Sequence, residues 1–337
     1  MEKVVIVMPA WNEVENIKSM VEVLTQDEFP KIGADMQLLI VDNHSTDGTA
    51  EAAEDASKKY NNVHIIQQKN SGLGWAYVSG MQYAIDELKA DAILEMDADF
   101  QHPPRFVKPM VEAYLSGAEY VIGSRYIEGG SVPKEWAASR KAISFFGNLF
   151  IRTVLLNFKI HDLTTGFRLS KVRGVLDKIE LVKLRDLDKF AYKVDLLYQS
   201  LKNSKKTVEV PLEFASRTKD KSKFNWKEMV ATFKLAIILG IKDKQRFIKF
   251  GVVGFTGFLV NYLGLEFLKR MGLTTYWAVI VQPLVVNGAT TLFGDTSLIR
   301  LAGLLFALFL VVVPYNYIVY NLFIWRTWKI PKFFKRD

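Results

Sequence analysis

Apolar runs of strand length alternate with amphipathic stretches along the first 125 residues. Val4–Met8, Leu38–Val41, Val63–Ile66, Ala92–Met96 and Tyr120–Ile122 are apolar or nearly so. Between them, residues such as Ile17, Met20, Val21 and Leu24 recur on one helical face. Near-continuous apolar strands separated by helices predict an α/β domain whose mostly parallel sheet is covered on both faces. In such sheets ligands collect beyond the carboxyl ends of the strands. Chemistry is therefore expected in the loops after Met8, Val41, Met96 and Ile122.

The pattern changes after residue 225. Trp226 to Ile241 sets Met229, Phe233, Ala236 and Ile237 on one face and Lys227, Glu228 and Lys234 elsewhere, which predicts an amphipathic helix lying on a bilayer. The basic residues that follow (Lys242, Lys244, Arg246, Lys249) suit an anionic cytoplasmic leaflet. Phe247–Leu268 and Leu298–Trp325 are long enough to span a membrane, Pro314 notwithstanding. Tyr276–Leu292 is marginal, being interrupted at Gln282-Pro283 and Asn287-Gly288. Three spans would put the basic tail (Arg326, Lys329, Lys332, Lys335, Arg336) outside, against the positive-inside tendency, so two spans are preferred. The expected layout is a cytosolic domain at 1–225, an interface helix and basic linker at 226–246, transmembrane helices at 247–328 and a basic tail at 329–337. Gly251, Gly254 and Gly257 offer a close helix–helix face, for packing within the chain or for a homo-oligomer. Val4–Met8 is too short for a signal-peptide core and is soon followed by Glu13 and Glu15. The chain thus reads as a multi-pass protein of the cell membrane with its first domain in the cytoplasm.

Charge sharpens the boundary. The 337 residues carry 44 Lys+Arg against 36 Asp+Glu, a net +8. Only five charged residues (Glu266, Lys269, Arg270, Asp295, Arg300) fall among the 76 from Phe250 to Trp325, leaving 75 of the 80 in the other 261. That split excludes one uniform globular protein and a disordered chain alike. The absence of cysteine removes disulfides, thiolate metal sites and cysteine nucleophiles together. The basic excess is assigned to phosphate groups and a membrane surface, with no nucleic-acid partner expected.

Three of the strand-end loops carry unusual residues. The first is Pro9-Ala10-Trp11-Asn12-Glu13 and the second Asp42-Asn43-His44-Ser45-Thr46-Asp47-Gly48-Thr49. An acidic side chain at a strand end can accept hydrogen bonds from a nucleoside, which is the reading for Asp42. Ser45 to Gly48 reads instead as a helix cap. The strongest signal is Asp97-Ala98-Asp99-Phe100-Gln101-His102-Pro103-Pro104. Two carboxylates two residues apart in an extended segment project to one side, which Gln101 continues. They repel unless a cation lies between them, and Mg²⁺ or Mn²⁺ takes such oxygen ligands and shares them with phosphate. His102 is read as structural, with metal ligation as its alternative.

These motifs, with Gly72-Leu73-Gly74 and Gly123-Ser124-Arg125-Tyr126, stand in an order and spacing that resembles the family 2 glycosyltransferases. Within them residues 3–225 look most like the polyprenyl-phosphate glycosyltransferases, dolichyl-phosphate mannose synthases above all. The resemblance implies a GT-A fold and transfer of a hexose, mannose from GDP-mannose first, onto dolichyl or polyprenyl phosphate with inversion. It implies that Pro9, Trp11, Glu13 and Asp42 hold the nucleoside, and that Asp97, Ala98, Asp99 and Gln101 serve the diphosphate and the metal. Asp42-Asn43 departs from the Asp-Asp of many relatives and loses a carboxylate near the nucleotide. Arg125 and Arg140, with Ser144 on the same helical face as Arg140, are implied to hold the acceptor phosphate. Asp99, Arg125 and Arg140 are thereby the catalytic candidates. Arg217, Ser222 and Lys223 are implied to lie on a loop closing over the donor. Asp162 to Arg168 reads as a floor beneath the sugar or as a plain turn with Gly166 at positive φ. Ile143–Leu156, apolar on most faces, is assigned to the membrane side. Phe250–Asn261 and Asn321–Trp328 resemble a shortened GtrA-like membrane domain. The alternatives are a UDP-glucose-dependent enzyme on a similar lipid, and a lipid-carrier translocator or membrane scaffold with a nucleotide-binding domain.

Overall fold

The structure is a computed structural model describing residues 1–70, 72–216 and 226–243, the side chains of Trp226 and Asp243 excepted. Arg217, Ser222, Lys223, the expected spans at 247–325 and the glycines from Gly251 to Gly257 lie outside the described residues. Among those described, no helix is long and apolar enough to cross a membrane. The chain divides into two compact units, Met1–Gly240 and Ile241–Asp337, and the candidate site lies in the first.

Seven strands form one sheet: β1 (Lys3–Ala10), β2 (Asp35–Asp42), β3 (Val63–Gln67), β4 (Ala92–Glu95), β5 (Tyr120–Ser124), β6 (Arg168–Lys171) and β7 (Thr207–Pro211). Their order is β3-β2-β1-β4-β6-β5-β7. β1 pairs in parallel with β2 and β4, β2 with β3, and β5 with β7, while β6 runs antiparallel between β4 and β5. The expectation of a mostly parallel sheet holds. β6 and β7 carry no apolar run in the sequence, since Arg168-Leu169-Ser170-Lys171 alternates polar with apolar.

Alternation along the strands sorts the core into layers. Val4, Ile6 and Met8 face α1 (Val14–Glu22) and α4 (Val107–Leu115), on the side where α2 (Thr49–Lys59) also packs through Ala53. Val5, Val7 and Ile93 face α3 (Leu73–Asp86) and α6 (Tyr192–Asn203). With Ile6 wholly buried, truncation to Ala would cost about 2–5 kcal/mol. The chain leaves β1 for one face of the sheet and returns to β4 beside it, so the loops after β1, β2 and β4 open onto one crevice at the reversal of strand order.

A third layer joins α5 (Ala138–Val154), α6 and α7 (Trp226–Asp243) through Ile151, Val194, Leu197, Leu235, Ala236 and Leu239. α7 crosses α5 closely: a Cβ on Gly240 would meet the Val154 carbonyl oxygen at 2.6 Å. The single apolar face expected for α7 is divided. Ala236 is buried and Phe233 packs against Phe150, whereas Val230, Ile237 and Ile238 point outward and are 39–46% exposed. α5 is divided as well, with Phe145, Phe146 and Leu149 exposed and Asn148 and Ile151 buried.

Candidate active site

A cavity of about 630 Å³ runs from the ends of β1 and β4 to the space between α5 and α7. At its first end the β1–α1 and β2–α2 loops are fastened together. Asn12 N donates to Ser45 Oγ (2.9 Å), Thr46 N to Asn12 Oδ1 (2.9 Å), Glu13 N to Thr49 Oγ1 (2.8 Å) and Val14 N to Asp47 Oδ2 (3.2 Å). Ser45 to Thr49 thus brace the two loops, but neither Ser45 nor Thr46 caps α2: its N-cap is Gly48, at φ +94° and with no side-chain cap hydrogen bond, and Asp47 Oδ1 accepts from Thr49 N. Pro9, Ala10, Trp11 and Glu13 line the cavity, and Trp11 is half exposed. Asp42 lies behind the wall, 3% exposed, its Oδ2 accepting from Ser45 N and its Oδ1 without a hydrogen-bond partner. Asn43, the departure from the family pattern, does line the cavity, and its Oδ1 accepts from Gln68 Nε2 and from Gly72 N. Its amide therefore ties β2 to the start of α3.

Asp97, Ala98, Asp99 and Gln101 line the cavity together. Asp99 is buried and accepts from Gln101 N at 3.1 Å across Phe100, whose φ of +61° makes the turn. Asp97 accepts from Tyr77 Oη of α3 at 2.6 Å and lies 3.6 Å from Lys193 Nζ of α6. Burial, with Asp97 close by, holds the Tyr77 pKa well above its ordinary value, so its hydroxyl stays a donor. Asp97 N donates to His102 Nδ1 (3.1 Å), and the imidazole stacks on Phe167. Burial pushes the His102 pKa down to about 4, with Asp97 opposing and the Lys193 and Arg125 charges assisting. His102 is a neutral acceptor buried in the loop, in keeping with the structural reading. Two carboxylates and an amide oxygen fit a hard divalent cation that takes its remaining ligands from phosphate and water. Among the described residues no group of three or more His, Asp or Glu side chains is placed to hold a metal ion, so a cation here would rest on two carboxylates and an amide rather than on three ionisable side chains.

The next stretch of wall comes from the loop after β5. Arg125 donates through Nε and Nη2 to Asp162 (2.7 and 2.9 Å) and through Nη2 to Thr164 Oγ1 (2.6 Å). The two-pronged grip on phosphate expected of an arginine is therefore spent on Asp162, and Nη1 is what Arg125 has left for a ligand. Burial would raise the Asp162 pKa, but Arg125 and the hydrogen bonds outweigh it and hold the carboxyl below its ordinary range. Glu209 accepts from the backbone N–H groups of His161 and Asp162, and both ends of the Asn148 amide bind His161 O and Leu163 N. The 161–165 segment is thus a clamp for Arg125. Gly166 is absent from the residues at positive φ. A Cβ at Gly166 would meet Lys193 Nζ at 2.5 Å, so any larger residue would push that ammonium group aside.

Arg140 stacks over Trp136, its Cζ 3.9 Å from the ring centroid, and Ser144 Oγ meets Tyr126 Oη at 2.7 Å. Helical spacing brings Arg140, Ser144 and Asn148, with Ile143, Gly147 and Ile151, to the cavity side of α5, while Met229, Thr232 and Phe233 of α7 line the same end.

Sequence reasoning missed Lys193 and Tyr77, which stand inside helices with no motif around them. It also missed the layer beneath Asp97. Glu95, Arg168, Lys193, Tyr120, Tyr192 and Ser200 are buried there, and each has at least one side-chain polar atom without a hydrogen-bond partner. Glu95 ends β4 two residues before Asp97, opposite Arg168 in register, and Arg168 Nη1 donates to Lys193 O at 2.7 Å. A glutamate inside an apolar strand was the one available signal.

Residues 5–176 match the family described as Glycosyl transferase family 2. The chain is 32% identical over 250 residues to the polyprenol monophosphomannose synthase of Mycolicibacterium smegmatis, covering 73% of this chain and 91% of that protein. It is 31% identical over 284 residues to a dolichol-phosphate mannosyltransferase of Pyrococcus furiosus, covering 82% and 76%. It is also 31% identical over 226 residues to an undecaprenyl-phosphate mannosyltransferase of Micrococcus luteus, covering 66% and 88%. With that match running from β1 through the Asp97–Asp99 loop and the Arg125 clamp, the chain belongs to glycosyl transferase family 2 and is a glycosyltransferase.

Proposed function

We propose that this enzyme transfers mannose from GDP-mannose to a polyprenyl phosphate such as dolichyl phosphate, with inversion at the anomeric carbon. An oxygen of the lipid phosphate attacks that carbon, the bond to the diphosphate oxygen breaks, and GDP leaves with the electron pair. A phosphate monoester is already largely ionised near neutral pH, its second pKa being about 6. The nucleophile therefore needs positioning more than a base. Arg140, held flat on Trp136, and the remaining Nη1 of Arg125 suit that task. Lys193 and the cation site of Asp97, Asp99 and Gln101 suit the diphosphate. A bound Mg²⁺ or Mn²⁺ would offset the charge that develops on the leaving group.

The observation that carries this reading is the continuity of the cavity. One space joins the loops after β1 and β4 to two arginines and then to an apolar end between α5 and α7. A water-soluble donor and a prenyl chain call for opposite ends of such a space. Phe145, Phe146 and Leu149 on the outer side of α5 suit contact with the bilayer from which the acceptor arrives. The reading thus sets the enzyme at the cell membrane with its catalytic domain on the cytoplasmic side.

A panel of radiolabelled nucleotide sugars with dolichyl phosphate and Mg²⁺ or Mn²⁺ tests the proposal. Mannosyl lipid from GDP-mannose is expected. Label from UDP-glucose instead would reassign the donor, and no transfer from any donor would defeat the reaction itself.

A further inference from the structure

Phe214 lies just after β7 in a segment held by backbone hydrogen bonds on both sides. Phe214 N donates to Ser131 O (2.9 Å) and Ala215 N to Gln101 O (3.0 Å). Its ring lines the cavity and meets groups from two other loops, His102 after β4 and both Arg125 and Trp136 of the β5–α5 connection. The His102 imidazole stands edge-on with centroids 5.5 Å apart, Trp136 stands edge-on at 5.9 Å, and Arg125 Cζ lies 5.5 Å from the ring centroid. Beyond these contacts, His102 accepts from Asp97 N, and Trp136 carries Arg140 on its other neighbouring face.

We propose that Phe214 is a positioning residue that fixes the register between the Asp97–Gln101 loop and the two acceptor arginines. The inference rests on the assignment of donor and acceptor ends made above. Edge-to-face ring contacts are directional and each contributes about 0.5–1.5 kcal/mol beyond area burial. Two of them, with the Arg125 guanidinium against the same ring, make Phe214 the shared reference for the β4–α4 loop and the β5–α5 connection. Neither substrate depends on Phe214 for its main contacts, because the donor is held at the strand ends and the acceptor phosphate by the arginines. What the ring sets is the distance between the attacking oxygen and the anomeric carbon. Misplacement of reacting groups by about 1 Å costs about 100-fold in rate.

The test compares Phe214→Leu, which keeps an apolar side chain but removes the ring, with Phe214→Tyr, which keeps the ring. For Phe214→Leu we expect kcat to fall about 100-fold while KM for GDP-mannose and for dolichyl phosphate stays close to wild type. Phe214→Tyr should retain most of the activity. A rise in either KM that accounts for the loss, or wild-type kcat in Phe214→Leu, overturns the inference. Hydrogen exchange in the unliganded full-length protein gives a second readout. Residues 97–103 and 131–141 should both exchange faster in Phe214→Leu and not in Phe214→Tyr, and no change in either segment overturns the hub. Failure of the wild type to transfer mannose would count against the donor reading alone, and the exchange result would then decide the role of Phe214.

Discussion

Replacing Asp162 by Asn tests the clamp on Arg125 with little change of shape. The carboxylate is fully buried and accepts six hydrogen bonds, from Arg125 N, Nε and Nη2, Thr164 N and Oγ1, and Thr165 N. Removing one partner of a buried pair leaves the other charge uncompensated and costs about 3–5 kcal/mol. An amide keeps one acceptor, so the lower end, about 3 kcal/mol, is the working figure. For a domain of this size about 1 kcal/mol moves the melting temperature by roughly 2–4 °C. Asp162→Asn should therefore melt about 6–12 °C below the wild type in detergent. Loss of the aligned guanidinium should also lower kcat/KM for the lipid phosphate by about 10–100-fold, the worth of one hydrogen bond to a charged group. The pH dependence follows from the same geometry. A carboxyl held below its ordinary pKa contributes stability above the unfolded value and loses it as pH falls through the folded one. Variant and wild type should thus converge only in acid. Asp162→Leu combined with Arg125→Met should stay below the wild type in melting temperature and lack turnover, because the backbone N–H groups of Arg125, Thr164 and Thr165 lose their acceptor even though no charge is left unpaired. A single variant that melts with the wild type and uses acceptor normally would refute the clamp.

Three further outcomes are expected. Asp99→Ala should abolish metal-dependent turnover and weaken Mn²⁺ binding measured by electron paramagnetic resonance, and near-normal values of both would remove the cation assignment. His102, with an ordinary pKa of 6.5 and a folded pKa of about 4, refuses a proton that the unfolded chain accepts. Its contribution, about 3 kcal/mol, is whole above pH 6.5 and is lost as pH falls towards 4. Melting temperatures from pH 7 to 4.5 should accordingly fall more steeply for the wild type than for His102→Gln, and parallel slopes would contradict the burial argument. Phe146→Asp, at a position 62% exposed, should leave the melting temperature unchanged. It should raise KM for a long-chain polyprenyl phosphate in vesicles but not for a short soluble prenyl phosphate, and equal effects on both would remove α5 from the membrane surface.

Much of the first domain was legible because its information is local. β1 to β5 announce themselves as apolar runs, and the carboxyl-end rule then directs attention to Pro9–Glu13, Asp42–Thr49 and Asp97–Gln101 before any contact is known. What stayed hidden depends on partners distant in the chain. β6 carries Arg168 in its buried face, which no hydrophobic pattern suggests, and its partners are Glu95, opposite it on β4, and the Lys193 carbonyl oxygen, 25 positions later. Arg125 was read as a holder of the acceptor phosphate; it does line the cavity, yet its fork belongs to Asp162, and only the fold brings those two together. The outer face of α7 was assigned from periodicity alone, which cannot tell an apolar stripe covered by α5 and α6 from one that is not.

The layer under Asp97 has a consequence for how such an enzyme can diverge. Two acids, Asp97 and Glu95, and two bases, Arg168 and Lys193, share one largely buried space, where solvent cannot absorb an unmatched charge. Any single replacement leaves a surplus of one, and two replacements of opposite sign are needed to restore the balance. Trp11, uncharged and half exposed at the edge of the cavity, stands under no such charge constraint. The uncharged rim of the cavity can therefore change one residue at a time, whereas the charged foundation beneath Asp97 changes by paired steps.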